Sequence, residues 1–195
     1  MSDDHLMERP LQQQQVYQGN FLDVRRDTVQ LPGGASATRE YIVHPGAVMI
    51  VPILDDGRLV LERQCRYPLG SVLLEFPAGK IDPGEDRWAC ARRELAEETG
   101  YRAAEWALAG RLHNAPAYSN EFIEIWFARG LSLGDQHLDD GEFIEVRLMD
   151  EAELDALAAS GELTDAKTLI ALLWLQKWRA GRWPLTWQAL DADPA

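Results

Sequence analysis

Glu94, Glu97 and Glu98 stand at positions i, i+3 and i+4, so a helix through them would place three carboxylates on one side, one turn apart. Like charges at that spacing repel by roughly a few tenths of a kcal/mol per pair, a penalty that solvent can absorb. One reading is therefore a solvated acidic helix face. The other is an oxygen cluster for a hard divalent cation, the kind of ion that carboxylates favour. Two surrounding features support the cation. Glycines punctuate both ends of the segment, at Gly79 and Gly100, and Glu85 and Arg93 are placed to pair across loop and helix and hold the loop shut. That pair would be structural rather than catalytic.

The carboxylates need a helix, and Asp86 to Thr99 supplies its pattern: Trp88, Ala91, Leu95 and Thr99 recur at spacings of three and four, and Gly100 provides the stop. Upstream, 21–31 and 38–44 read as two strands separated by the turn Pro32-Gly33-Gly34. The run 47–54 is almost wholly apolar and β-branched, as in a strand buried on both faces, and Asp55-Asp56-Gly57 turns it into 59–64. A short strand at 72–76 leads through Pro77-Ala78-Gly79 into a long loop. Strands are expected at 106–112, 121–128 and 143–148, then helices at 150–159 and 165–179. Without regular βαβ alternation, this order predicts one α+β or α/β/α domain with a mixed sheet and flanking helices.

With 195 residues, the chain suits one catalytic unit and a short accessory element. The 46% hydrophobic and 26% charged residues are the balance of a globular protein, with no apolar run near a membrane span and no secretory signal at the start, so the cytoplasm is the expected location. The net charge of -13, with 19 basic against 32 acidic residues, argues against nucleic acid as a partner. A phosphorylated small molecule would need metal ions or placed arginines to offset the repulsion. Cys65 and Cys90 read as reduced packing residues.

The segment 79–101 resembles the Nudix box: a glycine, five residues, Glu, seven residues, Arg-Glu, an aliphatic, any residue, Glu-Glu, any residue, Gly and an aliphatic. Gly79, Glu85, Arg93, Glu94, Leu95, Glu97, Glu98 and Gly100 match, and Tyr101 departs by replacing the final aliphatic. The resemblance implies an α/β fold, a Nudix-type α/β/α sandwich with a mixed sheet, here with an N-terminal antiparallel strand extension. It implies Glu94 and Glu98 as metal ligands, Glu97 as ligand or water-orienting catalytic group, and the backbone carbonyl of Ala78 as a further ligand. Mg²⁺ is the implied ion and Mn²⁺ a substitute. The chemistry would be cleavage of a pyrophosphate, whose charge repels water until cations neutralise it.

Several flanking stretches resemble the ADP-ribose pyrophosphatase subgroup: Arg39-Glu40, His44-Pro45-Gly46-Ala47-Val48, Gln64-Cys65-Arg66-Tyr67, Glu75-Phe76-Pro77-Ala78-Gly79, Pro116 beyond the box, and Asp165-Ala166-Lys167-Thr168. By that resemblance Arg39 and Arg66 meet phosphate or ribose oxygens, for which a guanidinium fork is suited; a surface ion pair is the alternative for each. Glu75 would hydrogen-bond the substrate or orient an arginine. Pro116 would mark the substrate pocket or serve as a simple turn residue. Phe21 or Tyr41 could clamp the adenine, with core packing the commoner use of such rings. The base is expected in the acidic loop Asp139-Asp140-Gly141-Glu142, with Glu142 first, Asp140 second and Glu145 third; a solvated acidic turn is the alternative.

These readings divide the chain into a flexible arm at 1–15, a strand extension at 16–45 for homodimer formation, a Nudix hydrolase domain at 46–180 and a tail at 181–195. The implied activity is hydrolysis of ADP-ribose to AMP and ribose 5-phosphate. Alternatives are another nucleoside diphosphate sugar such as GDP-mannose, or a non-catalytic ADP-ribose sensor. A mere divalent-ion binder would leave the glycine pattern unexplained.

Overall fold

The computed structural model describes residues 2–190, which divide into two compact units. The first comprises 2–46 and 113–122. Its strands are β1 (Arg9–Gln12), β2 (Gln15–Gln18), β3 (Asp23–Gln30) and β4 (Ser36–Val43). β3 and β4 form an antiparallel hairpin in unbroken register from Asp23↔Val43 to Gln30↔Ser36, closed by the glycine turn. β1 and β2 lie one after the other along the opposite edge of β3.

The polar residues at 2–15 thus include a strand where the sequence predicts a flexible arm; Met1 lies outside the described residues. The reason is Asp27. Its side chain is 5% exposed and accepts hydrogen bonds from the Gln13 side chain (3.3 Å), the Gln14 backbone (3.4 Å) and the Tyr41 hydroxyl (2.9 Å). A buried carboxylate needs such donors, and the glutamine-rich stretch provides them.

The second unit comprises 47–112 and 123–190. It begins with β5 (Ala47–Ile53), β6 (Leu59–Arg66), β7 (Ser71–Glu75) and β8 (Ala78–Lys80). Then come α1 (Arg87–Thr99), β9 (Tyr101–Leu112), β10 (Ile123–Leu133), β11 (Ile144–Met149), α2 (Glu151–Ser160), α3 (Ala166–Arg179) and β12 (Gln188–Ala189). The strands make one mixed sheet in the order β11-β6-β5-β10-β9-β12. β5 is central, entirely buried, and parallel to β10. The β5 and β6 hairpin holds together only at Ile53↔Leu59 and then parts, so that β7 pairs with β6 while β8 pairs with β5.

Strand alternation sorts the core. Met49, Val51, Leu59 and Leu61 join Leu154, Ala171, Leu172 and Leu175 from α2 and α3 in one cluster. Val48 and Ile50, equally buried but of opposite parity, face the other way, as do the buried Cys90, Ala91 and Leu95 of α1. The sheet therefore carries α2 and α3 on one face and α1 on the other, the expected α/β/α sandwich. Burial of each large side chain stabilises it by about 1.5–3 kcal/mol.

Two segments are more ordered than their sequence suggests. Ala78, Gly79 and Lys80 form a strand rather than part of a loop, because β5 offers an open edge there. In the tail, Gln188 and Ala189 pair with β9, and Trp187 lies under the Arg129 guanidinium at 4.1 Å. Residues 191–195 of that tail lie outside the described residues. Cys65 is exposed rather than packed, while Cys90 is buried. No helix among the described residues is long and apolar enough to cross a membrane.

Candidate active site

The helix α1 is fixed at both ends by its own sequence. Asp86 caps it, accepting from the Trp88 and Ala89 N–H groups at 3.0 and 3.1 Å, and Gly100 ends it in the left-handed conformation at φ 76°. Glu94 and Glu98 then project together toward β8. Glu98 is 4% exposed and accepts from the Ala78 N–H at 2.9 Å. The Glu94 carboxylate lies over Gly79 so closely that a Cβ there would be 1.9 Å from it. Glycine is required at that place to admit the carboxylate, not to bend the chain.

Glu85 and Arg93 pair as expected, through two parallel bonds of 2.8 and 2.9 Å. Glu85 also accepts from the Asp82 N–H at 3.1 Å, and Arg93 donates to the Lys80 carbonyl at 3.3 Å, so loop and helix are tied together. The Arg93 guanidinium holds Glu85 down to about 2. The remaining Arg93 nitrogen, Nη1, donates to Glu94 (2.8 Å) and Glu97 (3.0 Å).

The other carboxylates are driven the opposite way. Burial, ahead of any charge, raises Glu94 to about 7. Burial also raises Glu98 well above the usual carboxylate range, and the charges of Glu62 and Glu94 add to the effect. Glu62, on β6, is fully buried and is raised by burial and then by the charge of Glu75. Neither Glu62 oxygen has a hydrogen-bond partner among the described residues. Among the described residues no three acidic, His or Cys side chains already converge as a ligand set, and Arg93 engages Glu94 and Glu97 instead. The donor chemistry nonetheless fits a hard divalent cation: oxygen only, concentrated negative charge, and an orphaned buried carboxylate.

Glu75 is bonded by Arg66 and Lys167. At 1% exposure it receives Nε and Nη2 of Arg66 at 2.7 and 2.6 Å, and the Lys167 ammonium as well. Lys167 also reaches Asp165 at 3.1 Å, while Thr168 accepts from the Phe76 N–H at 3.0 Å. Arg66 thus sits at the open end of a buried network, its side chain 38% exposed. Sequence reasoning gave no role to Lys167 or Glu62. The available signal for Glu62 was one charge interrupting the apolar run Leu59-Val60-Leu61.

In the acidic loop, Gly141 takes φ 91° and the Glu142 N–H bonds the Asp139 carbonyl at 3.0 Å. Glu142 is half-buried, and its charge is felt at Glu62, Glu94 and Glu98. Asp140 is exposed. Glu145 is exposed and engaged by Arg63 and Arg147 at 2.8 and 2.6 Å.

Four further residues belong to the first unit. Arg39 forms a two-pronged pair with Glu8 and is exposed, the alternative that its sequence allowed. Pro116 is exposed in a turn closed by Tyr118 and Ser119 N–H bonds to the Ala115 carbonyl. Tyr41 is held by Asp27, and Phe21 is 60% exposed against the edge of His44. Neither ring is in the hydrophobic core.

Comparison with known proteins agrees with this geometry. Residues 43–172 match the NUDIX domain model and residues 8–42 the nucleoside diphosphate sugar hydrolase N-terminal domain. An ADP-ribose pyrophosphatase of Bacillus subtilis is 35% identical over 88% of this chain and 94% of its own. A methanol dehydrogenase activator of Bacillus methanolicus is 34% identical over 87% and 92%. A crystal structure of an ADP compounds hydrolase superposes with a TM-score of 0.80 at 29% identity, covering 90% of this chain and 95% of the other. With its box assembled on α1 and β8 and the NUDIX model spanning residues 43–172, the chain belongs to the Nudix hydrolase family.

Proposed function

We propose that the protein hydrolyses ADP-ribose to AMP and ribose 5-phosphate with Mg²⁺, for which Mn²⁺ substitutes. The observation that carries this reading is the pair of carboxylates Glu94, half-buried, and Glu98, buried, brought by α1 against Ala78 and Gly79 of β8, with the charge of Glu142 felt at both. The choice of substrate is supported by relatives of nearly full length named for ADP-ribose and ADP compounds.

Glu94, Glu98 and the Ala78 carbonyl would hold the cation, with Glu97 as ligand or water-orienting group. When bound, a divalent cation neutralises the pyrophosphate and acidifies a water. Glu142, on its glycine-hinged loop, accepts the proton of the attacking water. Arg66 turns its free guanidinium edge to a phosphate oxygen, held in plane by Glu75, which Lys167 fixes from behind. The first unit, at whose surface Leu11, Val16, Tyr17 and Phe21 are exposed, joins two copies as a homodimer. A monomer in sedimentation at micromolar concentration would remove that part.

Incubating the protein and Mg²⁺ with ADP-ribose, GDP-mannose and related nucleotide sugars, and following nucleotide monophosphate release, tests the reading. ADP-ribose should give the highest kcat/KM, and a preference for GDP-mannose overturns the substrate. Glu142→Gln should lower kcat on the order of 10²–10⁴-fold while Mn²⁺ binding persists. Near-normal turnover would dismiss Glu142 as the base.

A further inference from the structure

Glu62 lies on the sheet face that carries α1, since its strand neighbours Leu59 and Leu61 belong to the core cluster on the opposite face. It is fully buried, and both carboxylate oxygens lack any hydrogen-bond partner among the described residues. A buried carboxylate left in that state is costly, so the protein must offer it something. The ordinary partners are ruled out by the surroundings. Solvent does not reach it. Arg66 and Lys167, whose charges it feels, both direct their hydrogen bonds to Glu75, its register neighbour on β7. Arg93 serves Glu85, Glu94 and Glu97. The other charges felt between Glu62 and its surroundings are the carboxylates Glu75, Glu98 and Glu142.

We propose that Glu62 is a further oxygen donor of the divalent-cation site, reaching it from the sheet while Glu94 and Glu98 reach it from α1. The inference rests on the reading of Glu94 and Glu98 as cation ligands. It adds to the box a carboxylate on another element, outside the segment 79–101. A cation in contact with Glu98 and Glu62 satisfies both buried groups at once, whereas a shared proton would satisfy only one bond between them. The unpaired oxygens are thus free to bind positive charge, and the hard donor set selects Mg²⁺ or Mn²⁺ over softer ions.

The test is Mn²⁺ binding by the full-length protein, read by electron paramagnetic resonance of the free ion and by the shift of the melting temperature, with no substrate present. The wild type, Glu94→Gln, Glu62→Gln and Glu62→Leu are compared. If the inference holds, both Glu62 variants bind Mn²⁺ at least tenfold more weakly and lose most of the Mn²⁺-induced shift. In chelator, Glu62→Leu melts at or above the wild type, because the uncompensated carboxylate is gone. Wild-type affinity in either folded Glu62 variant overturns the inference, as does a Glu62→Leu protein that melts lower in chelator yet keeps its Mn²⁺ affinity. Failure of the wild type itself to bind Mn²⁺, or full binding by Glu94→Gln, would overturn the underlying reading of the site instead.

Discussion

A single methyl group at Gly79 should detach Glu94 from the cation site without unfolding the protein. The Cβ of Gly79→Ala would sit 1.9 Å from the Glu94 carboxyl carbon, where an ordinary contact begins at 3.4 Å, so the carboxylate must retreat by about 1.5 Å. That displacement is large beside metal-oxygen distances of about 2.0–2.1 Å, and it takes a ligand out of reach. The backbone does not resist the change, because Gly79 is in a strand and not in the left-handed region. Alanine there even favours the folded chain by about 0.5–1 kcal/mol through the unfolded state. Mn²⁺ affinity should therefore fall about 10–100-fold, while urea unfolding in chelator shows equal or slightly greater stability. A double-mutant cycle isolates the route: in Gly79→Ala combined with Glu94→Gln, the alanine should add nothing further, since its target is already neutralised. Additive losses, or affinity within twofold of the wild type, would refute the steric reasoning.

The buried network behind Arg66 and the latch beside the box give two more outcomes. Lys167→Met should destabilise by about 2–3 kcal/mol in urea, below the roughly 3–5 expected of a wholly broken buried pair because Arg66 still holds Glu75. A loss under about 0.5 kcal/mol would show that Lys167 is not needed to offset the Glu75 charge. Glu85 is held at about 2 against an ordinary 4.5, so the folded state binds its proton less readily than the unfolded one. Its contribution is fully present above pH 4.5 and lost as pH falls toward 2. With side chains 16% and 29% exposed, solvent screening limits it to about 1–2 kcal/mol. Glu85→Gln should remove that acid-limb slope, and an unchanged slope would locate the acid sensitivity elsewhere.

Local features of this protein were legible because their physics is local. Helix periodicity puts Glu94, Glu97 and Glu98 on one side of α1, Asp86 and Gly100 end it, Asp55-Asp56-Gly57 turns β5 into β6, and Glu85 is within reach of Arg93. The acidic loop could be named, with Glu142 ranked before Asp140 and Glu145 as the expected base. In the structure Asp140 is exposed, Glu145 is engaged by two arginines, and the charge of Glu142 is felt at the buried Glu98.

What the chain determined by itself is the set of carboxylates on one helix and the glycines that bound it, since both follow from spacing along a few turns of backbone. Which distant groups meet them was decided by the tertiary structure. Glu75 and Lys167 are 92 residues apart, and Arg39 and Glu8 are 31 apart. No periodicity encodes such pairs; sheet register and the docking of α3 do. The same holds for Glu62, a charge beside the apolar run Leu59-Val60-Leu61, which strand order turns inward toward α1 with no hydrogen-bond partner among the described residues. Burial is a property of the assembled layers, and it is burial that converts a commonplace glutamate into a group that demands a cation.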